Sequence, residues 1–193
     1  MKVFRAHENI FRFQVDAIVN PANEQLLEGG GLCGAIFDKV RRDGGEDAHR
    51  QLTEACRAIG HCPTGEAVVT PSFGLLAPRI IHAVGPRWTG RNPLPIGATL
   101  TANESRHLKE LESVYCSILH LCESEGIQTV AIPSISTGIF NFPKELAAAV
   151  SVVVCESHDI DMYVYLVAND PTSAEVLKNA PTQDAIDWVR TAG

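Results

Sequence analysis

The stretch VDAIVNPANEQLLEGGGLCGAI, residues 15–36, decides the fold. It opens with a short β-branched run that stops at Asn20-Pro21, as expected for a strand followed by a turn. Three consecutive glycines, Gly29 to Gly31, then precede LCGAIFDKVRRDGG (32–45), which predicts a helix ending at its two last glycines. Such a glycine run lets the backbone approach a ligand and aims N–H groups at an anion. By itself it is also compatible with a flexible turn, since neither a GK[ST] nor a GxGxxG motif is present.

A second loop of the same kind is PSISTGIFNFP (133–143), which follows the apolar run IQTVAIPSI (127–135). Small residues again stand between a predicted strand and a predicted helix. Ligands of α/β sheets bind at the carboxyl ends of the strands, where loops lead into helix N-termini. We therefore expect the two loops to face one cleft and to hold the two phosphates of a diphosphate.

Strand-like and helix-like segments alternate along the rest of the chain, with near-continuous apolar runs that suit strands buried on both faces. The further predicted strands are EAVVTPS (66–72), RIIHAVGP (79–86) and DMYVYLVAND (161–170). The further predicted helices are HLKELESVYCSILHLCESEG (107–126), PKELAAAVSVVVCES (143–157) and terminal turns in SAEVLKNA (173–180) and PTQDAIDWVRTAG (181–193). This alternation predicts a three-layer α/β/α sandwich in one domain, residues 1–193, with residues 86–105 as a turn-rich insertion.

Charge and composition exclude several partners. The 16 basic and 23 acidic side chains give a net charge of −7, without any run of Lys or Arg, so duplex nucleic acid is not an expected partner. An anion can still be held by backbone N–H groups. No apolar stretch approaches the roughly 20 residues that span a bilayer, and the N-terminus shows no signal-peptide pattern. We expect a cytoplasmic protein with no membrane partner.

The six cysteines form no CxxC pair and are predicted to be reduced thiols. A zinc site built from Cys56, His61 and Cys62 is the alternative, but the spacing is poor and no fourth ligand is evident. We therefore predict no metal site.

In order along the chain, these segments resemble the macrodomain family. VDAIVNPAN (15–23) resembles its strand and double-Asn turn, GGGLCGAI (29–36) its first phosphate loop, and VAIPSISTGIFNFP (130–143) its second. PTGEAVVTPSFGL (63–75) and IIHAVGP (80–86) resemble its middle strands. The resemblance implies a central mixed, mostly parallel sheet, ADP-ribose or a mono-ADP-ribosylated protein as partner, and no cofactor. We expect a monomer.

The resemblance also assigns residues. Asn23 would hydrogen-bond the distal ribose near the scissile carbon, since an amide both donates and accepts, and it is the predicted catalytic residue. Asn20 would shape the same turn, either at the ligand or only as a turn-stabilising side chain. The first phosphate loop would comprise Gly29, Gly30, Gly31, Leu32, Cys33 and Gly34. The second would comprise Ser136, Thr137, Gly138, Ile139 and Phe140, with Phe140 packed against the distal ribose or, alternatively, serving as a core aromatic.

The adenine side departs from the family pattern. Asn9, followed by Ile10, stands where relatives usually carry an Asp, and an Asn carbonyl accepts without the charge-assisted strength of a carboxylate. Ala168 and Asn169 stand where relatives often place an aromatic residue. Less stacking energy is therefore expected for adenine, unless another residue supplies a ring.

The larger departure concerns catalysis. MacroD-type hydrolases carry an Asp ten residues after the second Asn and a His four residues further on, whereas this chain has Cys33 and Phe37 there. Other branches of the family that lack this Asp are also associated with hydrolysis. In those branches a water molecule is positioned by the ligand phosphate, the loop backbone and the Asn side chain. Cys33 is predicted to be an inert buried thiol and His82 a structural histidine, while Glu24 and Glu28 are either water-orienting bases or solvated loop carboxylates.

Three functions therefore remain open at this point. The first is hydrolysis, either of mono-ADP-ribose from protein side chains or of the acetyl group of O-acetyl-ADP-ribose. The second is a non-catalytic reader of ADP-ribosylated proteins. The third is a binder of another nucleotide or of an RNA end.

Overall fold

The computed structural model describes residues 1–94 and 98–180. Its centre is a six-stranded sheet with strands β1 (Lys2–His7), β2 (Ala17–Pro21), β3 (Ala67–Pro71), β4 (Arg79–Ala83), β5 (Thr129–Pro133) and β6 (Tyr163–Ala168). The spatial order is β1-β6-β5-β2-β4-β3, and all neighbours are parallel except β3 with β4. The predicted mixed, mostly parallel sheet is confirmed.

Helices cover both faces of this sheet. They are α1 (Gly31–Ile59), α2 (Ala102–Ser124), α3 (Lys144–Ser157) and α4 (Pro171–Lys178). Successive strand residues point to opposite faces. Within β2, Ile18 packs with α1, whereas Ala17 and Val19 pack with α2 and α3. The predicted three-layer sandwich is therefore confirmed, with α1 on one face and the other helices on the opposite face.

Helix α1 continues past the predicted end at residue 45. Gly45 does leave the helical conformation, with φ 82° and ψ −178°, but it only kinks the helix, and a second helical run reaches Ile59. Ala48, Leu52 and Cys56 are buried along this run at intervals of four residues, which places them on one face. This four-residue spacing of apolar residues could have predicted the second half of α1 from the sequence.

Strand β1 was not predicted from the sequence. Among the described strands it lies at the edge of the sheet and pairs only with β6, and its side chains are all at least partly exposed. The segment KVFRAH therefore mixes polar and apolar residues and lacks the apolar run that marked the central strands.

The predicted insertion, residues 86–105, is partly helical in its described part and carries a few buried side chains. Helix α2 begins inside it at Ala102, behind a capping box formed by Thr101 and Glu104. The Trp88 ring is buried and lies 4.7 Å from the Phe142 ring, centroid to centroid. Trp88 thus supports the second loop from behind.

Of the predicted terminal helical turns, residues 173–180 fall largely in α4, and residues 181–193 lie outside the described residues. All six cysteines are free thiols. Across the described ranges, no helix is long and apolar enough to cross a membrane, and no group of three or more His, Cys, Asp or Glu side chains could hold a metal ion.

Candidate functional site

A cavity of about 890 Å³ opens at the carboxyl ends of the parallel strands. It lies between the first loop (residues 22–30, joining β2 to α1) and the second loop (residues 134–143, joining β5 to α3). Among the predicted site residues, those lining it are Asn9, Ile10, Asn23, Gly29, Gly30, Gly31, Leu32, Cys33, Ser136, Thr137, Gly138, Ile139, Phe140 and Asn169. The structure thus gathers fourteen predicted positions from segments that are far apart in the sequence.

The two loops meet across this cavity. A Cβ built on Gly30 would lie only 3.1 Å from the Cδ1 atom of Ile139. The expectation that both loops face one cleft is therefore correct.

Gly34 was predicted to bind ligand, and Asn20 either to bind ligand or only to stabilise the turn, but neither residue lines the cavity. The Asn20 side chain is buried and turns into the sheet, where its Nδ2 atom lies 3.1 Å from Nδ1 of His82. Gly34 lies behind the first loop, so close that a Cβ there would be 2.5 Å from the Gly29 carbonyl oxygen. Both residues shape the loop from behind instead of facing its ligand side.

The Asn23 side chain is held rigidly at the cavity wall. Its Nδ2 atom donates to the Leu27 carbonyl at 2.7 Å, and its Oδ1 atom accepts from the Leu27 N–H at 3.1 Å. Since a carboxamide has two N–H donors and two oxygen lone pairs, one of each remains for a ligand. The amide can therefore donate and accept simultaneously toward vicinal hydroxyls.

Helix α1 begins at the cavity without a side-chain cap. Gly30 is the N-cap residue and offers no side chain, while Gly31 adopts φ 62°, a conformation that favours glycine. The first N–H groups of a helix lack intrahelical partners and carry partial positive charge. Here they lie beside the cavity and can hold an anion.

The second loop also offers backbone donors. Within the described part of the chain, the N–H groups of residues 136–140 donate to no other protein group. The loop is nevertheless fixed, because Phe142 N–H donates to the Ser136 carbonyl at 2.9 Å and Trp88 N–H to the Phe140 carbonyl at 2.8 Å. A fixed loop with unused N–H groups is suited to bind phosphate oxygens.

Two cationic side chains at the cavity were missed by sequence reasoning. The Arg87 guanidinium lies 4.8 Å from the centroid of the Phe140 ring, and Lys144 Nζ lies 3.9 Å from Asp170 Oδ1. Both residues line the cavity. Arg87 follows the end of β4 and Lys144 follows the second loop. Their positions after a strand end and after a ligand-binding loop could have indicated from the sequence that both lie at the cavity.

Cys33 lies at the cavity wall as a protonated thiol. Burial is the largest influence and raises the pKa of this thiol above its ordinary value, while the negative charge of Glu28 acts in the same direction. Phe37 is buried in the core beneath α1. At positions 33 and 37, where MacroD-type hydrolases carry their Asp and His, this chain thus has neither an ionised side chain nor an imidazole.

Glu24 and Glu28 are engaged away from the cavity. Glu24 Oε1 accepts from Thr64 Oγ1 at 3.0 Å, and Glu28 Oε2 lies 2.8 Å from His49 Nε2. Among the described residues, Asp170 is the one carboxylate that lines the cavity, and it caps α4 by accepting from Ser173 N–H at 2.9 Å. Neither loop glutamate is placed to activate a water there.

The end of the cavity predicted for adenine combines a weak acceptor with an unexpected ring. Asn9 lines the cavity, but its Oδ1 atom already accepts from Phe11 N–H at 3.0 Å and so caps a short 3-10 turn, Ile10–Arg12. Phe11 itself lines the cavity, as does Asn169. The family pattern places an aromatic residue after β6, so it gave no signal for a ring at Phe11.

Comparison with known proteins agrees with this architecture. The Macro domain family model matches residues 19–151. A Methanosarcina mazei macro domain-containing protein is 38% identical over 176 residues, covering 89% of this chain and 83% of its own length. A Salmonella gallinarum protein named O-acetyl-ADP-ribose deacetylase is 35% identical over 187 residues, covering 93% of each chain.

Among solved structures, an Oceanobacillus iheyensis macrodomain with ADP superposes with a TM-score of 0.74 at 26% identity, covering 91% of this chain and 87% of its own. Sequence relatives and structural neighbours thus lead to one assignment. The chain belongs to the macrodomain family.

Proposed function

We propose that this chain binds ADP-ribose, free or attached to a protein, in the cavity between the two loops. The observation that carries the proposal is the meeting of the Asn23 amide, the uncapped start of α1 and the unused N–H groups of residues 136–140 in one cavity. Its volume of about 890 Å³ lies within the usual range for small-molecule sites. The O. iheyensis macrodomain with ADP supports a nucleotide diphosphate as the ligand.

Each part of the ligand is proposed to lie against a different part of the cavity wall. The pyrophosphate lies between the N-terminus of α1 and the second loop, where N–H donors and two cations, Arg87 and Lys144, offset its charge. The distal ribose meets Asn23 and Phe140, and adenine lies toward Asn9 and Phe11. The six free thiols suit a reducing compartment, and we propose a cytoplasmic protein.

We further propose that the bound ligand is hydrolysed, with O-acetyl-ADP-ribose as the favoured substrate. The name of the S. gallinarum relative supports this reaction. Water would add to the acyl carbon, the acyl C–O bond would break, and acetate and ADP-ribose would leave. Since Cys33 is protonated and Glu24 and Glu28 are engaged elsewhere, the residues at hand act by orienting water and ligand and not by a strong base.

A non-catalytic reader is the second candidate. The observation that favours it is the pair Cys33 and Phe37, a neutral thiol and a core side chain that cannot transfer a proton as an Asp and a His would. A reader would bind the same ligand with the same contacts and release no product.

Calorimetry and product assays separate these functions. Titration with ADP-ribose, ADP, NAD and poly-A tests the ligand, and incubation with O-acetyl-ADP-ribose or with a protein mono-ADP-ribosylated on acidic residues tests turnover. Asn23→Ala should weaken binding and abolish product release, while Asn103→Ala on α2, outside the cavity, serves as the matched amide control. Binding without release identifies a reader. No heat with ADP-ribose, or equal turnover by Asn23→Ala, would refute the proposed site.

A further inference from the structure

A chain of buried polar side chains lies beneath the first loop and is not used by the proposed chemistry. It crosses three adjacent strands: Thr70 on β3, His82 on β4 and Asn20 on β2. Thr70 Oγ1 lies 2.9 Å from His82 Nε2, and His82 Nδ1 lies 3.1 Å from Asn20 Nδ2. All three residues are at least 97% buried, so these bonds are shielded from bulk solvent.

The direction of each bond follows from the groups involved. An amide nitrogen only donates, so Asn20 Nδ2 donates to His82 Nδ1, and the imidazole carries its proton on Nε2, which donates to Thr70 Oγ1. Burial of the ring favours this neutral form. The Asn20 Oδ1 atom has no hydrogen-bond partner among the described residues. The orientation of the Asn20 amide is therefore fixed through its nitrogen.

The chain continues from Asn20 to the cavity wall. Asn20 Nδ2 also lies 3.7 Å from the Sγ atom of Cys33, which in turn lies 3.9 Å from the Leu27 carbonyl oxygen. That same carbonyl accepts the 2.7 Å hydrogen bond from Asn23 Nδ2. The sulfur and the Asn23 amide thus share one acceptor, and the position of one constrains the other.

We infer that His82 is a positioning residue: by fixing Asn20 it holds Cys33 and Leu27, and through them the Asn23 amide, in register with the distal ribose. This role rests on the proposed function, because it assigns that sugar to Asn23. His82 does not line the cavity. The contact from Asn20 reaches the Sγ atom of Cys33 and not its backbone N–H, which we assign to the phosphates. The effect of His82 should therefore be confined to ligands that reach Asn23.

Two substitutions of His82 separate positioning from packing. Asn places an oxygen near the position of Nδ1 and preserves an acceptor for Asn20, whereas Gln reaches toward Thr70 and leaves Asn20 Nδ2 without that acceptor. Both remove an imidazole and insert a carboxamide at the same buried site. A purely structural role predicts similar effects of His82→Asn and His82→Gln on every ligand.

Calorimetry of each variant with ADP and with ADP-ribose provides the test, because these ligands differ in the distal ribose. Loss of one neutral hydrogen bond corresponds to about fivefold in affinity. We expect His82→Gln to lose about fivefold of the preference for ADP-ribose over ADP, with ADP affinity unchanged, and His82→Asn to keep the preference within about twofold. Equal losses for both ligands, or for both variants, would overturn the positioning role.

A ligand-free measurement keeps this result distinct from the proposed function. The side-chain amide resonance of Asn23 should shift in His82→Gln and stay near the wild-type position in His82→Asn. If the wild type binds no ADP-ribose, the proposed function fails, while this resonance still reports whether His82 positions Asn23. If His82→Gln does not fold, the isosteric Thr70→Val variant is used instead. It removes the hydroxyl partner of His82 Nε2 and leaves that atom only the weaker 3.8 Å contact to Cys56 Sγ. This variant should shift the same resonance, and an unshifted resonance then overturns the inference.

Discussion

Gly34→Ala tests how closely the first loop is packed against the start of α1. A Cβ at residue 34 would lie 2.5 Å from the Gly29 carbonyl oxygen. That is about 1 Å short of the usual non-bonded separation of about 3.5 Å. The obstacle is backbone and not a flexible side-chain end, so the loop that carries Gly29 has to move by a comparable distance.

Two contributions to stability oppose each other in this variant. Ala in place of Gly within a helix stabilises by about 0.5–1 kcal/mol, and the added methyl group costs about 1–3 kcal/mol where packing is already tight. We therefore expect a net loss of roughly 0–2.5 kcal/mol in the free energy of unfolding. The protein should remain folded at 25 °C.

Ligand binding should suffer more than stability does. A displacement of about 1 Å stretches a hydrogen bond of about 2.9 Å beyond the length at which it still counts as one. A hydrogen bond to a charged group contributes about 1.5–3 kcal/mol, so losing one such contact to a phosphate lowers ADP-ribose affinity at least tenfold.

The assay is calorimetry with ADP-ribose together with urea unfolding. Gly138→Ala is the matched control for stability, because a Cβ at that position in the second loop has no protein atom within 4 Å. Wild-type affinity in a folded Gly34→Ala protein would show that the first loop does not hold the phosphates as proposed.

Three further predictions concern buried groups. Burial lowers the pKa of His82 from 6.5 to about 4, so the unfolded chain binds more protons than the folded one between these pH values. The free energy of unfolding should therefore fall by about 3 kcal/mol as pH drops from 6.5 to 4. Measured by urea unfolding, this free energy should depend less steeply on pH in His82→Asn, and an equal dependence in both proteins would contradict the buried neutral ring. The Arg91 guanidinium, 2.7 Å from Oε2 of the buried Glu104, holds the pKa of that carboxyl well below its usual range, a stabilisation present above pH 4.5 and lost at lower pH. Because Arg91 is half exposed, Glu104→Gln should cost only about 2 kcal/mol at pH 7, seen as a lower urea midpoint, and an unchanged midpoint would refute this. Burial raises the pKa of the Cys33 thiol, so iodoacetamide at pH 7.5 should label Cys33 more slowly than a free cysteine, and rapid labelling would contradict an inert, protonated thiol.

Much of the fold was predictable because buried strands and helices leave regular patterns of apolar residues in the local sequence. The central strands β2, β4, β5 and β6 are apolar runs, since both of their faces are covered, and α2 shows a regular apolar stripe. Where burial is incomplete this signal fades. The edge strand β1 was therefore missed, and Gly45 suggested a helix end where the structure has a kink.

The sequence by itself determined the family pattern and both loops, because glycine runs and small residues at strand ends are local requirements for a backbone that approaches a ligand. Tertiary structure alone decided which side chains face the cavity. Asn20 and Asn23 are three residues apart, yet one turns into the sheet toward His82 and the other to the cavity wall. Arg87, Lys144 and Phe11 reach the cavity from three separate segments, and no short-range pattern encodes where those segments meet.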